Sequence, residues 1–167
     1  MTMASFASAA RDRALNVTQR LDWLGPLVAR ITLGVLFVST GWGKVHSLAK
    51  VTAYFTELGI PFPGVQAPMV SFIELIGGAL LVVGLASRFA AVPLMGSMLV
   101  AILTAQRENV HGLADLFGLV EWTYFALLLW VLLAGAGKVS LDHVLVERRR
   151  AQSKSQRASA GLSASAS

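Results

Sequence analysis

Four long apolar runs, separated by polar stretches, organise this chain. The first covers Leu24–Val45, with one early charge at Arg30 and a basic end at Lys44. The second covers roughly 66–86, carries Glu74 inside it and is closed by Arg88. The third, roughly 89–105, has no charge, and its Pro93 falls in the first turns, where proline is tolerated. The fourth, roughly 116–137, contains Glu121 near its start and stops at Gly135-Ala136-Gly137. About 20 apolar residues are needed to cross ~30 Å of hydrocarbon, so each run predicts a membrane-spanning helix. The connections are unequal. Residues 46–66 contain the turn-forming Gly59-Ile60-Pro61-Phe62-Pro63-Gly64 and a short surface helix over 49–58. The 86–89 connection predicts an antiparallel hairpin, and 106–115 reads as a polar loop.

Composition supports lipid as the solvent. Only 14% of the 167 residues are charged, against about 25% in soluble domains, and mean hydropathy is +0.65. The net charge of +5 would suit nucleic acid, but the basic residues crowd outside the apolar runs, which is the pattern of membrane flanks. A lipid bilayer, and no nucleic acid, is the expected partner. Of 14 Lys and Arg, 11 fall on the side of the two termini and three (Lys44, Lys50, Arg107) on the other. Positive residues stay inside, so both termini are expected in the cytoplasm and the 46–66 and 106–115 loops outside. The expected fold is an all-α integral membrane four-helix bundle over 24–143. It is flanked by a cytoplasmic segment 1–23, read as an interfacial helix or a disordered tail, and by a basic tail 144–167 too polar to hold a core. The Ala-rich start lacks the basic lead and apolar length of a signal peptide, so the first run is read as retained.

The chain has no cysteine, which removes disulfides, dithiol relays and thiolate ligands. His46, His111 and His143 show no ligand spacing, so no metal is expected. Glu74 is the leading chemical candidate. It sits roughly 12 Å into its run at 1.5 Å per residue, and an intramembrane carboxylate is costly unless paired or protonated. Its helical stripe reads Ser71, Glu74, Gly77, Gly78, Leu81, Leu85, Arg88, with glycines that let a neighbouring backbone approach. The first run offers a matching stripe of Arg30, Gly34, Phe37, Gly41 and Lys44. Antiparallel spans bring Lys44 nearest to Glu74 and leave Arg30 and Arg88 in the other half. By depth, Glu121 joins Glu74 and Lys44, with His111 capping them. Such a cluster suits a quinone, which needs an apolar slot, one or two donors for its carbonyl oxygens and a titratable group for protons. Phe37, Trp42, Phe72, Trp122 and Tyr124 are the aromatic candidates for the slot wall. A Glu74–Lys44 pair that only fixes helix packing is an equal reading, and Arg88 reads as an interfacial anchor.

These stripes carry a family resemblance. Arg30-x3-Gly34-x2-Phe37-x3-Gly41-x2-Lys44 resembles the first-helix signature of the DoxX family, and Gly59-Ile60-Pro61-x-Pro63 resembles its first outer loop. Glu74-x2-Gly77-Gly78-x2-Leu81-x2-Gly84-Leu85-x2-Arg88-x2-Ala91 is similar to its second-helix signature, and Gly135-x-Gly137-x2-Ser140-Leu141-Asp142 to its C-terminal closure. The four in order cover about 25–143. The resemblance implies a four-helix bacterial inner-membrane protein with Arg30, Lys44, Glu74 and Arg88 as the matching polar positions; Glu121 and His111 have no motif support. It also implies a link to quinol oxidation and thiosulfate:quinone chemistry, assembly of some members with redox-defence enzymes, and no shared haem, flavin or metal motif. Three functions remain in view: a quinone-linked redox accessory subunit with no intrinsic cofactor, a small-solute or proton carrier that would need a homo-oligomer, and a non-catalytic scaffold whose basic tail binds lipid or a partner.

Overall fold

The computed structural model describes residues 23–135 together with 137, 140–142, 148 and 152. The expectations for the N-terminal segment before Trp23, for Lys138 and His143, and for nearly all of the basic tail lie outside the described residues. Within them the chain is all-helical, with six α-helices: α1 Leu24–Val45, α2 Leu48–Glu57, α3 Pro63–Val83, α4 Ser87–Leu103, α5 Leu113–Gly118 and α6 Val120–Ala134. A single 3-10 turn, Arg107–Asn109, lies between α4 and α5. Helices α1 and α3 are long and apolar enough to cross a membrane, whereas α4 and α6 are apolar but shorter.

Local chemistry sets the ends of these helices. Helix α1 matches its predicted bounds. Helix α3 is displaced three residues toward the N-terminus of the predicted run. Pro63 occupies its first turn, where its missing N–H costs nothing. Gly84, at φ +73, stops it in a left-handed turn in which the amides of Gly84 and Leu85 return to Leu81 and Leu80. Helix α4 starts two residues earlier than predicted, and Pro93 lies in its second turn, within the first turns as expected. The predicted fourth run is broken. Leu119 is extended, at φ −71 and ψ 139, and separates the one-and-a-half turns of α5 from α6. Gly118, a poor helix former, precedes the break. Glu121 then falls in the first turn of α6, where a carboxylate complements the helix dipole.

The helices pack as two main pairs, α1 on α3 and α4 on α6, joined through the α3–α4 hairpin. The two predicted stripes do face each other. Arg30, Gly34, Phe37 and Gly41 are buried on α1, and Ser71, Glu74, Gly77, Gly78 and Leu81 on α3. Glycine decides how close they come. A Cβ added to Gly78 would lie 2.7 Å from the Val38 amide nitrogen and 2.9 Å from the Gly34 carbonyl oxygen. One added to Gly34 would lie 2.9 Å from the Gly78 oxygen, and one on Gly41 would collide with the Leu75 backbone. The core beside this crossing is made by Leu33, Phe37, Leu81, Leu94, Leu128 and Val131.

Candidate functional site

The close crossing positions the charged pair. Gly41 brings the α1 backbone onto α3 at Glu74 and Leu75. One turn further along α1, in its last turn, Lys44 reaches over the carboxylate, and its Nζ donates to Glu74 Oε1 at 2.5 Å. A basic residue at that helix end is also favoured by the dipole. The Glu74 side chain is only 2% exposed, while the Lys44 side chain is 33% exposed, so the pair joins a buried anion to a cation at a mouth. Glu74 Oε2 is buried and accepts no hydrogen bond from the described residues. A carboxylate has about four acceptor positions, so one whole oxygen of this buried carboxylate is unspent.

The unspent oxygen belongs to a residue on the wall of a cavity of about 520 Å³. Ligand sites usually measure about 300–1,000 Å³ and combine an apolar lining with few polar groups. Helices α3 and α4 form the two long walls, α2 covers the Lys44 end, and Lys44 itself reaches in from α1. Tyr54 and Phe55 of α2 contribute the aromatic surface, with Val51 beside them. Two other polar groups of the wall are already engaged with local backbone: Ser97 Oγ donates to Leu94 O at 2.8 Å, and Gln66 Nε2 donates to Pro61 O at 2.6 Å.

The expected aromatic wall is corrected throughout. None of Phe37, Trp42, Phe72, Trp122 and Tyr124 lines the cavity. Phe37 is 1% exposed in the core, edge-on to Tyr124. Trp42 is exposed and lies against His46, Phe72 points outward, and Trp122 packs between Phe117 and Phe125. The expected convergence of Glu121 and His111 on Glu74 is corrected as well. Glu121 Oε1 accepts from Gln106 Nε2 at 2.9 Å, and Gln106 in turn accepts from Asn109. His111 is exposed, its amide held by Asp115. Neither lines the cavity. The break at Leu119 explains this, since it moves Glu121 from inside a helix to a helix start.

Arg30 and Arg88 gather at the other end. The buried Arg30 guanidinium lies against Gly84, where a Cβ would come within 2.5 Å of Nη1. Asp142 acts on it electrostatically and also caps α4, accepting from the Ala86 amide at 2.8 Å and the Ser87 amide at 3.3 Å. The Asp142 amide donates to Gly84 O at 3.1 Å. Arg88 donates to Leu133 O at 3.1 Å and lies beside Gly135. This end ties the C-terminal segment to the α3–α4 turn. Of the residues singled out in the sequence, then, Lys44 and Glu74 line the cavity; Phe37, Gly41, Gly77 and Gly78 set the packing around it, and Arg30 and Arg88 stand apart. The α2 side chains and the role of Asp142 went unread. The former belong to a helix that looked merely superficial, and Asp142 was visible only as part of the C-terminal motif.

Comparison with known proteins places this arrangement. The DoxX family model matches residues 25–107. Inner membrane protein YqjF of Escherichia coli (strain K12) is 29% identical over 127 residues, which is 76% of this chain and 96% of that protein. The protein named putative oxidoreductase CatD, from Bacillus subtilis (strain 168), is 31% identical over 114 residues, covering 68% and 80%. Uncharacterized membrane protein Rv3486 of Mycobacterium tuberculosis (strain ATCC 25618 / H37Rv) is 29% identical over 133 residues, covering 73% and 82%. No solved structure matches the chain.

Proposed function

Because the chain belongs to the DoxX family of membrane proteins, we propose that it is a redox accessory subunit that holds a quinone or quinol head group beside Glu74 for a partner oxidoreductase. One observation carries this reading: a carboxylate with one oxygen on Lys44 and the other unpartnered, on the wall of an apolar cavity of about 520 Å³. A quinone carbonyl would accept from the Lys44 ammonium, and a quinol hydroxyl would donate to Glu74 Oε2. On oxidation the quinol loses two electrons and two protons. The electrons pass to the partner oxidoreductase. Glu74 receives the protons in turn through Oε2 and releases each to water at the mouth. The oxidoreductase in the name of the Bacillus relative is consistent with this chemistry.

The same reading takes α1, α3, α4 and α6 as four crossings of a bacterial inner membrane. The Lys and Arg distribution supports both termini in the cytoplasm. At 1.5 Å per residue α4 and α6 reach only about 26 and 23 Å, and modest local thinning of the bilayer covers the difference.

The test is binding of a decyl-substituted benzoquinone to the purified protein in nanodiscs, followed by tryptophan fluorescence and calorimetry. Glu74→Gln keeps the side-chain volume and removes the anion. Binding at least tenfold weaker, with unchanged helicity and size, is the expected result. Unchanged affinity overturns the proposal.

A further inference from the structure

Four glycines on the two stripes, Gly34, Gly41, Gly77 and Gly78, have neighbours that exclude a side chain. Gly96 does not. It lies near the middle of α4, is exposed, and a Cβ added there meets nothing within 4 Å. Glycine in a helix interior lowers helix stability, and no packing neighbour here requires it. Yet Gly96 lines the Glu74 cavity, together with the exposed Met69 on α3 and Val100 on α4. The two helices touch at Gly77 and Leu94, where a Cβ on Gly77 would lie 3.1 Å from the leucine side chain. On the cavity side of that contact the exposed Gly96 leaves open space in the wall, a slot that no side chain fills. Pro93, on the same wall, cannot donate to the helix ladder, which weakens α4 where the slot begins. The exposed lining residues beside the slot, Met69 on α3 and Val100 on α4, make apolar rims. In a membrane protein such rims face hydrocarbon.

We infer that the slot at Gly96 is the passage by which the apolar tail of a bound quinone runs from the Glu74 cavity into the bilayer, so that the ligand class is a long-tailed quinone and Gly96 selects for the tail. This rests on the quinone reading of the cavity. The polar head lies at the charged end beside Lys44 and Glu74, and the tail leaves sideways past Gly96, where the wall lacks a side chain. The ligand enters by the same route, from lipid rather than from water.

The test compares the decyl-substituted benzoquinone with the same ring lacking the tail, in nanodiscs, on the wild type, Gly96→Leu and Gly96→Ala. Gly96→Leu fills the slot from a position with open space, so it folds. It is expected to weaken the decyl quinone at least tenfold and leave the tail-less ring within twofold. Gly96→Ala leaves both unchanged. Equal weakening of both quinones, or of neither, overturns the slot assignment while leaving the head-group site intact. A wild type that binds neither quinone overturns the head-group reading itself. Retention of a phospholipid that the decyl quinone does not displace assigns the slot to a lipid chain and overturns the quinone tail.

Discussion

On its α1 side, helix α3 meets its neighbour backbone to backbone; on its α4 side it leaves room for a guest. Both seams are antiparallel and both contain glycine. In the first, Gly34 and Gly41 on α1 answer Gly78 and the Leu75 backbone on α3, so the helices close until main-chain atoms touch. In the second, Gly77 is filled by Leu94 from the opposite helix, and Gly96 faces nothing. In lipid, helices gain little from hiding apolar surface, and close packing supplies much of their attraction. A glycine therefore tightens a seam only where its partner also offers backbone. Opposite a large side chain it makes one lock-like contact, and opposite nothing it makes a hole.

The largest expected effect breaks the tight seam. Gly78→Leu would drive a side chain into Val38 N and Gly34 O, which are backbone atoms that cannot give way. Overpacking in cores commonly costs about 1–3 kcal/mol, and a main-chain collision lies at or above that range. Loss of monodisperse protein in mild detergent is the measurable outcome; a folded, stable variant would mean the seam is looser than described.

A smaller effect comes from the charged pair where the two seams meet. Lys44→Ala leaves Glu74 buried with neither oxygen paired. Breaking a fully buried pair costs about 3–5 kcal/mol, but exposed pairs are worth about 1 or less. With Lys44 one-third exposed, a loss between these limits is expected in thermal or denaturant unfolding. Adding Glu74→Gln should recover much of it, because the stranded charge is then gone. Failure of the double variant to recover would show that Lys44 stabilises by packing rather than charge.

The smallest effect sharpens the open seam. Gly96→Ala should stabilise the protein by about 1 kcal/mol, the helix propensity difference, since no neighbour opposes the methyl group. Destabilisation would reveal that the slot closes in solution.

Much of this comparison was legible before the structure. The interval from Arg30 to Lys44 and that from Ser71 to Leu81 repeat at helical spacing, and the structure turns both inward. Pairing Lys44 with Glu74 followed from antiparallel depth alone. The placement of Glu121 failed for a local reason: hydropathy carries an apolar run through Leu119, while the backbone there turns extended and resets the helix. The aromatic wall failed for another. Depth says how far along a helix a ring lies and nothing about which way it points, so Phe72, on the same helix as Glu74, faces outward.

The sequence by itself determined the four apolar runs, the excess of basic residues at the ends, the family and the two buried stripes, because hydropathy and helical period are one-dimensional properties. Only the tertiary structure decided that α2 roofs a cavity, that Asp142 reaches back to cap α4 beside Arg30, and that one glycine makes contact while another makes space. Those depend on what stands opposite a residue, and opposition across two helices is set by crossing and register, which no local pattern in either helix contains.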